Sequence, residues 1–221
     1  MRTVVFDLDG TLADTSGDLI AAANACFEGL GLGAPLRVET DSRVALRGGK
    51  SMLRLGFSRV GTGGEAEVDA QYPVLLRAYA AALDVHSRMY PGAVEAVEAL
   101  RSGGYATAVC TNKPEGLAEE LLRRLGVRGL FGSLVGADTL AVRKPDPAPY
   151  RLAVERAGGT VARSLMVGDT DTDRDTARAA GVPAVLVTFG PEGAEVARHA
   201  PEALMDHFDA LPGIVERLIR A

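Results

Sequence analysis

Asp7 and Asp9 stand one residue apart where a short apolar run, Thr3-Val4-Val5-Phe6, gives way to Gly10-Thr11. That spacing offers one carboxylate as a nucleophile and the next as its acid/base partner. Neighbouring carboxylates repel, so a protein keeps such a pair only where a cation or a shared proton offsets the cost. Asp and Gly also build ordinary solvated turns. What favours chemistry is the preceding run, which is β-branched and aromatic and reads as a buried strand. Ligands of open α/β sheets gather at the carboxyl ends of strands, where this pair falls.

Three further polar clusters sit at or just beyond later strand-like runs. Thr111-Asn112-Lys113 precedes a helix opening near Pro114. A hydroxyl, an amide and free backbone N–H groups there make a phosphate cradle, although a plain N-cap uses the same residue types. In Arg143-Lys144-Pro145-Asp146-Pro147 the prolines stiffen the backbone, so the Lys144 ammonium is aimed as a fixed charge. Val167-Gly168-Asp169-Thr170-Asp171-Thr172-Asp173 is a strand ending in alternating acids. Such density suits a bound cation, and hard oxygen ligands suit magnesium. Asp171 and Asp175 read as solvated acids at a helix start.

These clusters need a scaffold, and the sequence describes one. Strand-like runs at Thr3–Leu8, Thr107–Thr111, Leu134–Val135, Ser164–Val167 and Ala184–Val187 alternate with helical patterns. Alternation of this kind predicts an α/β fold with a doubly wound, Rossmann-like parallel sheet. Leu117, Leu121, Leu122 and Leu125 follow helical spacing, and Gly126 stands where a helix stop is expected. A last helical segment runs from Phe208 to Ile219. Residues 15–88 break the alternation with helix-patterned stretches around Leu19–Leu30 and Val68–Leu83, separated by a glycine-punctuated segment. The expected organisation is therefore an α/β core of residues 1–14 and 89–221 with an all-helical cap domain at 15–88. Hinges are expected near Asp14–Gly17 and His86–Tyr90, and closure of such a lid would control access of water.

Bulk properties exclude several classes of function. Of 221 residues, 47% are hydrophobic, enough for a sizeable core. A net charge of −5 argues against nucleic acid as a partner. Cys26 and Cys110 lack metal-ligand spacing and read as buried small hydrophobes. Asp7 and Asp9 interrupt the amino-terminal apolar run, and no stretch reaches the roughly 20 apolar residues that span a bilayer. These features predict a cytoplasmic location with no membrane partner. A monomer and a homodimer fit equally well. Within the helical block, Arg37, Arg43, Arg47, Lys50, Arg54 and Arg59 outnumber Glu39 and Asp41. Arg47, Gly48, Gly49 and Lys50 are the candidates for reading an anionic substrate group, since glycines permit close backbone approach.

The clusters occur in the order strand-Asp-x-Asp, strand-Thr, loop-Lys, strand-Gly-Asp, and in this order the chain resembles the haloacid-dehalogenase-like hydrolase superfamily. Asp7-Leu8-Asp9-Gly10-Thr11-Leu12, Thr111-Asn112-Lys113-Pro114, Lys144-Pro145-Asp146-Pro147 and Gly168-Asp169 look most like its phosphoglycolate phosphatase branch, with a small helical cap. The resemblance implies a magnesium-dependent phosphatase acting on a small phosphorylated metabolite such as 2-phosphoglycolate through an aspartyl-phosphate. It casts Asp7 as nucleophile and Asp9 as general acid and base, which requires a proton affinity for Asp9 above that of Asp7. Magnesium would take the Asp7 carboxylate, the Asp9 carbonyl and Asp169, with Asp173 ordering a bound water or supporting Lys144. Thr111, Asn112 and Lys144 would hold the phosphate, Thr11 would orient Asp9, and Gly10 would let the chain turn sharply.

A phosphomutase of the same superfamily, returning the phosphoryl group to a sugar, is the alternative, and release of free phosphate separates the two. A dehalogenase has no need of a second acid such as Asp9. A receiver-type phosphorylation switch is disfavoured because the nucleophile lies on the first strand and a helical block follows it.

Overall fold

The computed structural model describes residues 1–219. In chain order the elements are β1 (Thr3–Phe6), β2 (Ala13–Asp14), α1 (Ser16–Gly29), α2 (Val38–Ala45), α3 (Gly49–Val60), α4 (Glu65–Ala81) and β3 (Arg88–Met89). There follow α5 (Ala93–Ser102), β4 (Ala106–Cys110), α6 (Glu115–Arg124), β5 (Ser133–Val135), α7 (Pro147–Arg156), β6 (Ser164–Gly168), α8 (Asp171–Ala180), β7 (Ala184–Val187), β8 (Ala203–Met205) and α9 (Leu211–Leu218). They divide into two units, one built from residues 1–13 with the chain from 89 onward, the other from residues 14–88.

The first unit is an α/β sheet structure. Six strands lie in the order β5-β4-β1-β6-β7-β8, and every described pairing is parallel. β1 is central and wholly buried, as its unbroken apolar composition requires. Val5 stands in register with Ala108 on one side and Met166 on the other, so all three project to the same face. That face packs with Tyr150, Ala153 and Val154 of α7 and Ala177 and Ala180 of α8. Tyr150 is buried among them, and its hydroxyl satisfies itself 2.6 Å from Ser164 Oγ. From β1 the chain winds outward through β4 and β5, and from β6 outward through β7 and β8. The crevice for ligands in such a sheet opens where winding reverses, at the carboxyl ends of β1 and β6.

Several elements differ from expectation. β1 ends at Phe6, and just beyond it Leu8 O accepts from Leu12 N and Ala13 N to close a turn. β8 has no counterpart among the predicted strands. Its three residues alternate little and leave Leu204 exposed, so no periodic signal marks it. β2 and β3 form a separate two-stranded sheet at the chain's two crossings between units, each too short to read from sequence. The segment Phe208–Ile219 divides into a 3₁₀ turn at Phe208–Ala210 and α9. Both cysteines are buried and unpaired. Among the described residues no helix is long and apolar enough to cross a membrane.

The second unit is helical. Phe27 of α1 meets the Phe57 ring of α3 edge-on at 5.0 Å, and Gly56 keeps α3 close, since a Cβ there would fall 2.2 Å from the Phe27 ring. Asp41 is buried and holds Arg59 in a two-pronged pair at 2.5 and 2.6 Å. This guanidinium holds the Asp41 carboxyl below the usual range. Near the unit's ends, the buried Asp18 carboxylate of α1 accepts from His86 N, Ser87 N and Ser87 Oγ at 2.7 to 2.9 Å. A carboxylate given three donors is well compensated for its burial.

Candidate active site

The turn after β1 is held against β6 by its backbone. Asp7 N donates to Val167 O at 2.9 Å, one residue before Gly168-Asp169. Asp7 Oδ1 accepts from Leu8 N at 2.7 Å and lies 3.0 Å from Lys144 Nζ. Lys144 is also 2.7 Å from Asp173 Oδ1, and both of these side chains are buried. Burial works against the ammonium, but Asp173 and Asp7 more than offset this and hold its proton affinity above that of a free lysine. Its loop is positioned by Asn112, whose Nδ2 donates to Lys144 O at 3.0 Å. The Lys144–Pro145 peptide is cis.

Asp169, at the end of β6, is buried with its Oδ1 accepting from Thr11 Oγ1 at 2.7 Å. Its Oδ2 is buried without any hydrogen-bond partner. Burial pushes the Asp169 carboxyl well up, and the neighbouring Asp173 and Asp7 charges push it further. Burial likewise raises Asp7 to about 6, against the downward pull of Lys144. Carboxylate oxygens of Asp7, Asp169 and Asp173 lie within 4.8 Å of one another. A single ammonium among three acids leaves excess negative charge, and a naked buried carboxylate oxygen is costly. A hard divalent cation fits this donor set.

The three acids are not equivalent. Asp173 is the N3 residue of α8, and its Oδ2 accepts from Asp169 N, Thr170 N and Thr170 Oγ1 at 3.1, 3.2 and 2.9 Å. With Oδ1 on Lys144, both its oxygens are engaged, so Asp173 serves the lysine and the helix start. Asp7 and Asp169 are the acids with an oxygen left to offer.

Glycines make the close approach possible. Gly10 has φ +84°, and a Cβ there would lie 2.5 Å from Asp169 Oδ2. Gly168 could carry no side chain either, because its Cβ would sit 2.3 Å from Asp173.

Several sequence-based roles fall differently in space. Thr11, expected beside Asp9, donates instead to Asp169, because the turn after β1 directs its hydroxyl toward β6. Asp9 pairs with Lys113 Nζ at 2.9 Å, a buried cation that the motif contains but that spacing alone did not single out. Thr111 Oγ1 is buried and accepts from Lys113 N at 3.1 Å. The segment Thr188–Glu192 was also missed. A Cβ on Gly190 would come 3.0 Å from Asp169 Cβ and 2.9 Å from Gly10 O, and Pro191 Cδ lies against the Gly10 turn.

In the helical unit, Arg47 ends a turn whose carbonyl accepts from Ser51 Oγ at 3.4 Å. Gly48 has φ +102°, and Gly49 opens α3. A Cβ at Gly49 would meet Leu75 at 2.9 Å, so this glycine permits close packing of α3 on α4. Lys50 pairs with Asp69 at 2.6 Å and lies over the Tyr72 ring. Arg54 pairs with Glu65 and Arg59 with Asp41, so much of the basic excess is neutralised within the unit.

A family model for haloacid dehalogenase-like hydrolases matches residues 1–181. A phosphoglycolate phosphatase of Agrobacterium fabrum is 39% identical over 217 residues, covering 97% of this chain and 93% of that protein. One of Mesorhizobium japonicum is 40% identical over 220 residues, covering 99% and 96%. Among solved structures, a predicted phosphoglycolate phosphatase from Haemophilus somnus superposes with a TM-score of 0.84 at 27% identity, covering 97% of each chain.

Proposed function

The chain belongs to the haloacid dehalogenase-like hydrolases, and from that premise we propose that it hydrolyses 2-phosphoglycolate, with magnesium, through a phosphorylated Asp7. It is a phosphoric monoester hydrolase. One observation supports the site assignment above all others: Asp7, tethered to Lys144, stands beside a buried Asp169 oxygen that has no protein partner.

The chemistry follows from charge. Two unit charges 4 Å apart at an effective dielectric of 20 interact by about 4 kcal/mol, and an attacking carboxylate meets a phosphate carrying more than one. Lys144 offsets that repulsion at the nucleophile. Leu8 N and Lys144 hold the Asp7 carboxylate in place through Oδ1. A bound magnesium ion, held by Asp7, the Asp9 carbonyl and Asp169, would neutralise charge on the transferring phosphoryl group. The P–O bond to glycolate breaks as the Asp7–phosphorus bond forms, and Asp9 gives a proton to the departing alkoxide. Asp9 then takes a proton from the water that cleaves the acyl phosphate, releasing phosphate and restoring Asp7. Lys113, 2.9 Å from Asp9, holds that side chain and balances its charge between the two halves. Thr111 and Asn112 line the phosphate side from the end of β4.

Assay of phosphate release from 2-phosphoglycolate, with and without magnesium, tests the activity. Mass spectrometry of acid-quenched enzyme tests the intermediate. Phosphate on Asp7 and free phosphate in solution are the expected results. A phosphorylated substrate isomer without free phosphate would point to a mutase, and wild-type turnover by Asp7→Asn would remove the nucleophile.

A further inference from the structure

We propose that Glu192, clamped by Arg198 and His199, is a positioning residue that fixes the Asp169 side chain by holding the Gly190-Pro191 loop against its Cβ. The inference rests on the reading of Asp169 as a metal ligand. It addresses a problem that reading leaves open. Asp169 keeps its Oδ2 exposed to no donor, although such an oxygen would gain by rotating toward one. Thr11 holds Oδ1, but one hydrogen bond leaves the carboxylate free to swing about it. The Gly10 turn closes against Oδ2, and the side chain's own Cβ is backed by Gly190.

The loop after β7 supplies that backing. Gly190 lies so close that a Cβ there would be 3.0 Å from Asp169 Cβ, and Pro191 fills the space beside Gly10. The strap is packed through Phe189, whose ring lies 5.4 Å from that of Phe208, and through the buried Val196, and its polar anchors add to these. Gly193 N donates to Gly190 O at 3.0 Å, closing the turn. Directly after Pro191, the Glu192 side chain turns inward and is only 1% exposed. Its Oε2 receives Arg198 Nη2 at 2.9 Å and His199 Nε2 at 3.0 Å. A glutamate is rarely buried unless paired, and here both partners come from the far end of the same strap. That far end is itself tied to the site: Ala200 O accepts from Arg174 Nε at 3.1 Å, and Arg174 follows Asp173 on α8. The strap thus leaves the sheet at β7, crosses Asp169, and is fastened through Glu192 and Arg174.

Partners that orient a metal ligand typically contribute about 10- to 100-fold to metal affinity. Glu192 acts through a backbone contact, so the lower figure applies. The test uses the full-length protein and Mn²⁺, whose free concentration is read by electron paramagnetic resonance without substrate. Glu192→Ala should weaken Mn²⁺ binding about tenfold, and Glu192→Gln, which keeps an acceptor oxygen, should recover most of it. At saturating metal, KM for the phosphate ester should stay unchanged. Should Glu192→Ala fold poorly, the double variant Arg198→Ala/His199→Ala loosens the clamp from its more exposed side and should show the same weakening. Wild-type Mn²⁺ affinity in both folded variants would overturn the clamp and leave the phosphatase reading intact. Failure of the unmodified protein to bind Mn²⁺ would overturn the Asp169 assignment and the clamp with it.

Discussion

Replacing Asp7 by Asn should destroy catalysis and stabilise the metal-free protein. Burial raises the Asp7 carboxyl from 3.8 to about 6, so between those values the folded chain binds more protons there than the unfolded chain. Stability must then fall as pH rises from about 4 to about 6 and level off above. At 1.36 kcal/mol per unit, the ionised group costs about 3 kcal/mol at pH 7 and about half that at pH 5. That cost is already net of the attraction of Asp7 for Lys144, so the variant should gain about 2–3 kcal/mol. For a chain of this size that is a rise in Tm of about 4–12 °C. Thermal melts in excess chelator at pH 7.5 and pH 5 measure it. The gap should shrink at the lower pH, and magnesium should raise the wild-type Tm more than the variant's. A wild type as stable as Asp7→Asn at pH 7.5, or a gap that ignores pH, would refute the claim that uncompensated negative charge strains the site.

Gly10→Ala should raise the magnesium needed for half-maximal activity at least tenfold, because its Cβ would fall 2.5 Å from Asp169 Oδ2; metal titrations check this. The positive φ adds about 1–3 kcal/mol of destabilisation, visible in denaturant melts. Lys113→Met should lower kcat about 100-fold with little change in KM, since it strips the counter-charge from Asp9; steady-state kinetics at saturating magnesium decide it. Asp169→Asn should weaken Mn²⁺ binding by at least 10-fold and stabilise the chelated protein, measured by spin resonance and melts.

Much of the sheet was legible because buried parallel strands are nearly continuous apolar runs. Thr3–Phe6, Ser164–Val167 and Ala184–Val187 announce themselves on that ground. β8 does not, since an edge strand of three residues with an exposed leucine carries no pattern. The acids of the site were legible from their density at strand ends. Their partners were less so, because pairing depends on where a turn points its side chains. Thr11 Oγ1 reaches Asp169 across 158 positions of sequence, and Lys113 reaches Asp9 across 104. The loop at Gly190-Pro191 was invisible for another reason: its contribution is the absence of a side chain, which only proximity to Asp169 gives meaning.

The Asp18 carboxylate ties the outgoing helix α1 to the returning segment His86-Ser87, so residues 14–88 begin and end at one knot of their own making. A module whose termini are fastened together asks little of its host beyond two adjacent attachment points. Insertions of that sort can be exchanged for others of different length without disturbing the strand that leads to Asp7. Changes inside that module need not loosen the place where it closes on itself.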